Sequence, residues 1–211
     1  MNVLTESRVA WERAAEALRS GGLVVFPTDT VYGVGCDPRD REAIERVYQA
    51  KGREHTKAIP LLLSDVSHLR DVASQVPEAA RALGGDFWPG ALTLVVWRAE
   101  GLPAELGGGD TIAVRVPNHE GLRGFIELCG GAVAATSANL SGQPDATDPV
   151  QAADYLGSAV DLIVDGGPSG GSVPSTVVNC TVSPPRILRV GAISVEQVRR
   201  TLQRLNIEVE V

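Results

Sequence analysis

The chain has 211 residues, of which 44% are hydrophobic, 21% charged and 4% aromatic, and this composition is typical of a soluble globular protein with an ample core. Its net charge of -7 argues against a general nucleic-acid-binding surface, although it leaves room for a local basic groove. No apolar run approaches the length of a membrane span, and the N-terminus lacks a basic-then-apolar signal pattern, so we expect a cytoplasmic protein with no membrane partner.

Hydrophobic periodicity and turn residues predict helices and strands that alternate along the chain. Pro27 should end the first strand, Asp40 should cap the second helix, and Ser194 should form a capping box with Gln197 at the start of the last helix. In chain order, the predicted elements are a helix over 8–20, a strand over 23–26, a helix between 40 and 51, a strand over 60–63, short helices over 66–73 and 77–83, a strand within 87–97, a strand over 112–116, a helix over 122–129, strands over 132–136 and 161–165, paired strands over 175–178 and 186–190, and a helix over 195–205.

A polar cluster directly follows the first predicted strand. It contains Thr28, Asp29, Thr30 and Tyr32, and glycines among them leave backbone N–H groups open to a ligand. In open α/β sheets, ligands bind at such strand ends. The end of this strand is therefore the first candidate binding site.

Several cations and hydroxyls could meet phosphate groups. Neither GxxxxGK[ST] nor GxGxxG is present, so a nucleotide would be held by side chains and free N–H groups rather than by a phosphate-binding loop. Arginine suits bidentate contact with phosphate or carboxylate, whereas lysine acts as a point charge. The candidates are Lys51, Arg53, Lys57, Arg115, Arg189, Ser137, Ser141, Ser175 and Thr176.

Arg115 and two loops are further candidates for ligand contact. Arg115 should point to the opposite face of its strand from Ile112 and Val114, and we favour an anion-facing role because Pro117 ends the strand just beyond it. The loop over 101–110 could close over a ligand or could be a surface connection. The glycine-rich loop over 166–172 has the composition of a mobile segment.

No metal site built by protein side chains is predicted. The cysteines are odd in number and far apart, and the histidines are isolated, so we expect neither a disulfide framework nor a zinc site. The cysteines should be small buried side chains and the histidines surface residues. These residues are Cys36, Cys129, Cys180, His55, His68 and His119.

Seven ordered motifs between about residues 21 and 194 carry a resemblance to a known family. They are PTDTVYGVG, KGR, FWPGALTL, IAVRVP, ATSANLSG, STVV and ILRVGAIS. In this order they resemble the threonylcarbamoyl-AMP synthase family. The resemblance implies one YrdC-like α/β domain over residues 1–211, with a twisted, mixed or largely parallel β-sheet, flanking helices and a concave basic groove. Longer relatives carry an additional C-terminal domain, which we do not expect here.

The resemblance also implies an activity, that of a nucleotidyltransferase. The enzyme would join L-threonine, bicarbonate and ATP into threonylcarbamoyl-adenylate and release diphosphate. The product would supply the t6A modification of tRNA. Mg²⁺ is expected on the phosphates, held largely by the nucleotide and without a dedicated protein site. Transient contact with the downstream tRNA threonylcarbamoyl transferase, and with tRNA or double-stranded RNA, is also implied.

Site residues are carried over from the family one by one. Thr30, Arg115 and Ser175, with the backbone around Ala135, would hold the threonine. Lys51 and Arg53 would be catalytic. The ATP would be met by Lys51, Arg53, Lys57, Thr111, Ser137, Asn139, Asp145 and Arg189.

The chain departs from the family pattern at three positions. Glu54 stands where proline often follows KGR, and Pro174 stands where an acidic residue often precedes the ST pair. Some members place a histidine a few residues after the basic loop, which contains Lys51, Arg53 and Lys57. This chain has Ser64 at that position, and this change would bear on the amino-acid pocket.

Two other classes of function compete with the synthase. A non-catalytic module could bind structured RNA in the same basic groove, although this requires a basic face and stacking aromatics that the composition disfavours. Related domains also occur inside hydrogenase-maturation carbamoyltransferases, but those carry zinc-finger and acylphosphatase segments for which this chain has neither the cysteines nor the room. Without the ordered motifs, an α/β domain of no assignable activity would be the default.

Overall fold

The structure, a computed structural model, describes residues 2–171 and 173–211 and has an α/β fold. Ser172, at the end of the predicted glycine-rich loop, lies outside the described residues. The α-helices are α1 (Arg8–Arg19), α2 (Arg41–Lys51), α3 (Leu69–Val72), α4 (Glu78–Phe87), α5 (Glu120–Leu128), α6 (Pro149–Leu156) and α7 (Val195–Gln203). The strands are β1 (Asn2–Thr5), β2 (Val24–Phe26), β3 (Gly33–Cys36), β4 (Leu61–Leu63), β5 (Ala73–Gln75), β6 (Leu92–Arg98), β7 (Thr111–Arg115), β8 (Ala132–Ser137), β9 (Leu162–Asp165), β10 (Thr176–Asn179) and β11 (Arg186–Arg189).

The strands form one mixed sheet. Its order is β1-β9-β2-β3-β8-β4-β7-β6-β10-β11, and β5 pairs with β6 outside this path. Six pairings are antiparallel and four are parallel, which confirms the predicted α/β fold with a mixed sheet. Among the described helices, we find none that is both long enough and apolar enough to span a bilayer. That one domain extends over the whole chain stays a prediction.

The two faces of the sheet are covered unequally. Side chains alternate along each strand, and Leu61 and Leu94 point into a hydrophobic layer shared with α2, α4, α6 and α7. On the opposite face, Phe26 and Val133 pack with α1 and α5, which lie against β9, β2, β8 and β4. Further along this second face, side chains of β6, β7 and β10 line an open cleft. The cleft therefore lies next to the part of the sheet that α1 and α5 cover.

Helix ends follow the signals in the sequence. Asp40 Oδ1 accepts a hydrogen bond of 3.0 Å from the N–H of Ala43 at the start of α2, and Gly52 ends that helix with a φ of 56°. Ser194 and Gln197 form the predicted capping box at the start of α7. The N-cap and capping-box predictions are confirmed.

Strand β3 was missed by the sequence prediction because it contains two glycines. A Cβ on Gly33 would lie 2.9 Å from the ring of Phe26, and a Cβ on Gly35 would lie 2.8 Å from the carbonyl oxygen of Ala134. The glycines therefore make room for the Phe26 ring and the neighbouring strand, at the expense of strand propensity. The prediction also missed β1, β5 and α6.

Two predicted short helices have different bounds in the structure. The segment predicted over 66–73 is a 3₁₀ turn (Val66–His68) followed by α3, and its last residue begins β5. The helix predicted over 77–83 continues through two glycines to Phe87 as α4. Gly84 packs closely on the Trp88 ring, since a Cβ there would lie 3.0 Å from the ring, so tertiary packing outweighs the low helix propensity of glycine.

His68 joins the turn before α3 to the end of α5, and its side chain is 25% exposed. Its Nδ1 lies 3.0 Å from Asp71 Oδ2, and its Nε2 lies 3.1 Å from Glu127 Oε2. The hydrogen bond with Asp71, and then that with Glu127, raises the pKa of His68. The Ser64 hydroxyl donates to the same Glu127 oxygen at 2.7 Å. Ser64 therefore contacts α5 at the end of β4 and is not among the described lining residues of the cleft. The expectation that it bears on the amino-acid pocket stays a prediction.

The histidine contact should make stability depend on pH. The pKa of His68 is higher in the folded chain than its ordinary value of 6.5, so its stabilising contribution is complete below that value and is lost as the pH rises through the folded-state pKa. At about pH 5.5, we expect the free energy of unfolding of the wild type to exceed that of His68→Asn, and at about pH 8.5 this difference should be smaller. The difference should stay below about 1 kcal/mol, because the carboxylates are solvent-exposed. Urea unfolding at about pH 5.5 and 8.5 measures this difference. Asp71→Asn should reduce its pH dependence, and an equal difference at both pH values would contradict the assignment.

Candidate functional site

The open cleft on the second face of the sheet has a volume of about 310 Å³. Its wall is built from the turn after β2, the start of β4, the end of β8 and the uncovered face of β6, β7 and β10, so that segments distant in sequence meet there. Its lining residues are Thr28, Thr30, Val31, Tyr32, Gly33, Arg53, Ala58, Pro60, Leu62, Thr93, Ala113, Arg115, Ala135, Thr136, Ser137, Asp145, Pro174, Ser175, Val177 and Arg189.

The turn after β2 is organised by the hydroxyl of Thr28. Its Oγ1 accepts hydrogen bonds from the N–H groups of Thr30 at 3.0 Å and Val31 at 3.2 Å, and donates to the carbonyl oxygen of Val31 at 2.7 Å. Thr28 is 6% exposed and Thr30 is 3% exposed. The turn is thus held by its own side chain, and the Thr30 hydroxyl has a fixed position in the cleft wall.

Arg115 is a largely buried cation at the centre of the cleft. Its Nη1 donates to Thr30 Oγ1 at 3.0 Å, its Nη2 to Asp29 Oδ1 at 2.6 Å, and its Nε to the carbonyl oxygen of Gly90 at 2.9 Å. Burial lowers the pKa of Arg115, and the charge of Asp29 opposes this effect. The neighbouring Ile112 and Val114 point to the opposite face of the sheet, as predicted.

A second arginine meets hydroxyl groups at the β10 end of the cleft. Arg189 donates from Nε to the carbonyl oxygen of Ser175 at 3.0 Å and from Nη2 to Ser175 Oγ at 3.1 Å. Ser175 Oγ also lies 2.7 Å from Thr93 Oγ1. Burial lowers the pKa of Arg189, and the carboxylate of Asp145 opposes this effect. The arrangement presents a cation and two hydroxyls at one position.

Lys51 lies beneath the cleft rather than in its described lining, with 2% of the residue exposed. Its Nζ donates to the main-chain carbonyl oxygens of Ser137 and Asn139 and lies 3.4 Å from Asn139 Oδ1. Burial, and then the charge of Arg53, lowers the pKa of Lys51 to about 8. In return, the N–H of Ser141 donates to the carbonyl oxygen of Lys51 at 2.8 Å. Lys51 therefore ties the end of α2 to the loop that follows β8.

The basic loop is held by its own main chain. Arg53 donates from Nε to the carbonyl oxygen of Lys57 at 3.1 Å and from Nη2 to that of Ala58 at 3.0 Å. The ring of His55 stacks on Tyr48 of α2 with 4.4 Å between centroids. Arg53 reaches the cleft, whereas Lys57 is exposed and outside the described lining.

Both candidate loops are anchored next to the cleft. In the segment over 101–110, Leu106 is fully buried and its carbonyl oxygen accepts a hydrogen bond from the N–H of Ile59 at 2.8 Å. At the start of the glycine-rich loop, Tyr32 donates its hydroxyl hydrogen to the carbonyl oxygen of Gly167 at 2.6 Å. Burial raises the pKa of Tyr32 to about 12. At the other end, Gly171 packs on the turn after β2, since a Cβ there would lie 2.9 Å from the carbonyl oxygen of Asp29.

The structure brings together most of the site residues expected from the sequence. In the cleft wall are Thr30, Arg53, Arg115, Ala135, Ser137, Asp145, Ser175 and Arg189. Lys51, Lys57, Thr111 and Asn139 lie outside the described lining. Asn139 acts behind the wall, where its Oδ1 accepts from Ser137 Oγ at 2.5 Å. The roles of all twelve stay predictions.

Other polar groups of the site were not among the residues assigned a role from the family. Asp29 and Tyr32 stand in the polar cluster after the first strand, but pattern alone does not show which of its side chains turn inward. Thr93 lies in an apolar strand and gave no signal beyond strand alternation. Pro174, one of the departures from the family pattern, lines the cleft directly.

The cleft is a basic groove in an acidic chain. Its described lining contains three arginines and one carboxylate, that of Asp145. The described residues contain no group of three or more histidine, cysteine or acidic side chains that could hold a metal ion. Such a site can bind and align anionic groups by charge and hydrogen bonding.

A family model described as Telomere recombination (Sua5_yciO_yrdC) matches residues 16–191 of this chain. This match covers most of the chain. The chain belongs to the Sua5/YciO/YrdC family. The family membership expected from the seven ordered motifs is thereby confirmed.

Two relatives and one solved structure show how the chain compares within the Sua5/YciO/YrdC family. It is 39% identical over 199 residues to the threonylcarbamoyl-AMP synthase of Pyrococcus abyssi, and this alignment covers 94% of this chain and 58% of that protein. It is 41% identical over 191 residues to a putative threonylcarbamoyl-AMP synthase of Mycobacterium leprae, covering 90% of this chain and 86% of that protein. The crystal structure of P. abyssi Sua5 complexed with L-threonine matches with a TM-score of 0.91 and 37% identity, over 99% of this chain and 62% of that chain. The chain thus spans about three fifths of the P. abyssi protein.

The contacts of Lys51 predict its effect on stability. Lys51→Met keeps the apolar stem but leaves two carbonyl oxygens without their donor, so we expect a loss of about 2–3 kcal/mol in free energy of unfolding at neutral pH. The pKa of Lys51 is about 8 in the folded chain and 10.5 ordinarily, so the unfolded chain binds more protons between these values. The stability of the wild type relative to the variant should therefore rise with pH across this window.

Urea unfolding at about pH 7.5 and 9.5 tests this prediction. The matched control is Lys57→Met, which replaces an exposed lysine and should cause no comparable loss at either pH. A difference between wild type and Lys51→Met that stays constant or decreases with pH would contradict the assignment.

Proposed function

We propose that this chain is an L-threonylcarbamoyladenylate synthase, a nucleotidyltransferase that joins L-threonine, bicarbonate and ATP and releases diphosphate. The observation that carries the proposal is the meeting of eight expected substrate residues, from separate parts of the chain, in one cleft. Membership of a family with named threonylcarbamoyl-AMP synthases supports it. The product would supply the t6A modification of tRNA.

The threonine would bind at the end of the cleft around Arg115. A guanidinium presents paired N–H groups that match a carboxylate, so Arg115 would hold the carboxylate of the amino acid. Thr30 contacts the same guanidinium, and Ser175 and the backbone near Ala135 lie in the adjoining wall. These groups offer the hydroxyl and backbone contacts that a small hydroxylated amino acid requires.

The ATP would extend from there along Arg53, Ser137 and Arg189. The two arginines supply positive charge for phosphate oxygens, and Asp145 at the edge of the cleft would meet the adenosine. Lys51 and Asn139 would act by holding the end of β8, because both contact Ser137 there. Direct contact of Lys51, Lys57 or Thr111 with the nucleotide stays a prediction.

The chemical step would need alignment and charge neutralisation rather than a strong base. Once the threonine amine has become a carbamate, a carbamate oxygen would attack the α-phosphorus of ATP. The new P–O bond would form as the bond from that phosphorus to the β-phosphate oxygen breaks, and diphosphate would leave. Arginines fixed by buried hydrogen bonds would stabilise the additional charge without reorganising. No residue is assigned as a general base.

Mg²⁺ is proposed to bind together with the ATP, coordinated mainly by its phosphates. The cleft offers the carboxylate of Asp145 but no cluster of metal-binding side chains among the described residues. This donor set fits an ion whose ligands come mainly from phosphate oxygens and water. Bound there, Mg²⁺ would neutralise phosphate charge. We place the protein in the cytoplasm, where the downstream transferase and tRNA would be transient partners.

Pyrophosphate release by the purified chain tests the proposal. With ATP and Mg²⁺ present, we expect release only when L-threonine and bicarbonate are both added, and a marked fall when L-serine replaces L-threonine. Arg53→Ala should lower kcat/KM about 10- to 100-fold, because an arginine–phosphate contact is worth roughly 1.5–3 kcal/mol. Arg8→Ala is the matched control, since that side chain is 92% exposed on α1.

The alternatives give different outcomes in the same assay. No release under any combination, together with binding of structured RNA, would replace the synthase by the RNA-binding module. Release that does not depend on L-threonine would indicate a different acceptor for the nucleotidyl group. An equal effect of Arg53→Ala and Arg8→Ala would remove Arg53 from the site.

A further inference from the structure

Asp29 contacts the cleft indirectly, through a second residue. It belongs to the polar cluster after the first strand, but it is not among the residues assigned a role from the family, and it lies outside the described cleft lining. Its Oδ1 accepts a hydrogen bond of 2.6 Å from Arg115 Nη2, and the side chains of Asp29 and Arg115 are only 15% and 8% exposed. A charge-assisted hydrogen bond of this length between two largely buried groups restricts both side chains.

The hydrogen-bond donors of Arg115 are only partly used. A guanidinium has five N–H donors, one on Nε and two on each terminal nitrogen. Within the described part of the chain, Arg115 uses one donor of each nitrogen, toward Gly90, Thr30 and Asp29. One N–H therefore remains on Nη1 and one on Nη2. The two terminal nitrogens lie in one plane, so a carboxylate that approaches them end-on could accept a hydrogen bond from each.

Asp29 differs from the other two acceptors of Arg115. The carbonyl of Gly90 and the hydroxyl of Thr30 are neutral, whereas the carboxylate of Asp29 supplies the opposite charge. Without Asp29, the buried guanidinium would lose this charge, and Nη2 would have two unused donors instead of one. The plane of the guanidinium would then be fixed at Nε and Nη1 alone.

The turn that carries Asp29 is itself rigid. The Thr28 hydroxyl holds the N–H groups of Thr30 and Val31, so the backbone on the C-terminal side of Asp29 is fixed. Gly171 packs against the carbonyl oxygen of Asp29 from the other side. Asp29 and Thr30 are adjacent in sequence, and the turn presents both side chains to one guanidinium.

We propose that Asp29 is a positioning residue for substrate recognition, which orients Arg115 so that one N–H of each terminal nitrogen meets the carboxylate of the amino acid. The inference rests on the proposed function, in which Arg115 holds L-threonine. Asp29 touches neither substrate and acts through Arg115. Its loss should therefore affect the amino acid and not the nucleotide.

The test compares two substitutions of Asp29 by pyrophosphate release and by equilibrium binding. In Asp29→Ala, we expect the KM for L-threonine to rise about 10- to 100-fold, and that for ATP to stay within about twofold. Asp29→Asn keeps an oxygen acceptor but not the charge, and should recover part of this loss at the wild-type melting temperature. Asp154→Ala, at an exposed position on α6, is the matched control.

A ligand without the carboxylate separates positioning from general damage. L-threoninol has a primary alcohol in place of the carboxylate, so its affinity should be the same in the wild type and in Asp29→Ala while that of L-threonine falls. If Asp29→Ala does not fold, Asp29→Asn carries the test, with a loss of roughly 3- to 10-fold for L-threonine alone because charge assistance about doubles the strength of the hydrogen bond.

The outcomes distinguish this inference from the proposed function. A wild-type chain that neither binds L-threonine nor releases pyrophosphate overturns both. An active wild type whose Asp29 variants bind L-threonine equally well, or more tightly, overturns the positioning role alone. So does an equal loss for L-threonine, L-threoninol and ATP with a lower melting temperature, since this would mark Asp29 as purely structural.

Discussion

The buried guanidinium of Arg115 is the constraint on which the site depends. With 6% of the residue exposed, its charge has little access to water and must be compensated by protein groups. Those groups come from the turn after β2 and from Gly90, just before β6. The polar turn, the start of β6 and the end of β7 must therefore come together before the charge is accommodated. The substrate-binding end of the cleft and the correct pairing of the sheet are two consequences of one requirement.

The unequal covering of the sheet gives this charged group its access to a ligand. Helices α1 and α5 bury one half of the second face through Phe26 and Phe125, and the other half remains a wall of small and polar side chains such as Thr93 and Ala113. A cleft lined by arginines together with small apolar side chains excludes part of the water around an anionic ligand, which strengthens charge interactions within it. The uncovered part of the sheet thus coincides with the region in which charge interactions with a ligand are strengthened.

Much of the fold could be predicted from local signals in the sequence, and eight of the twelve site residues expected from the family resemblance line the cleft. Caps such as Asp40 and the strand alternation around Arg115 are short-range patterns. Strand β3 was not predicted because its glycines are needed to make room for the ring of Phe26, and this tertiary contact has no signal in the local sequence. Lys51 was expected among the phosphate-binding cations, and neither its charge nor its motif indicates that its ammonium group is buried against carbonyl oxygens. Thr93 was missed because its partner is Ser175, far along the chain.

The acceptors around Lys51 and those around Arg115 suit cationic groups of different shape. Around Lys51, the oxygens of Ser137 and Asn139 converge on one atom, which a compact tetrahedral ammonium can satisfy. Around Arg115, the acceptors are spread over three nitrogens of a flat group. Lys51→Arg would place a broad planar guanidinium in a space that fits a compact ammonium group. Arg115→Lys would leave some of the three acceptors out of reach of a single nitrogen. The two sites therefore share a sign of charge but no common geometry, and neither cation is a conservative replacement for the other.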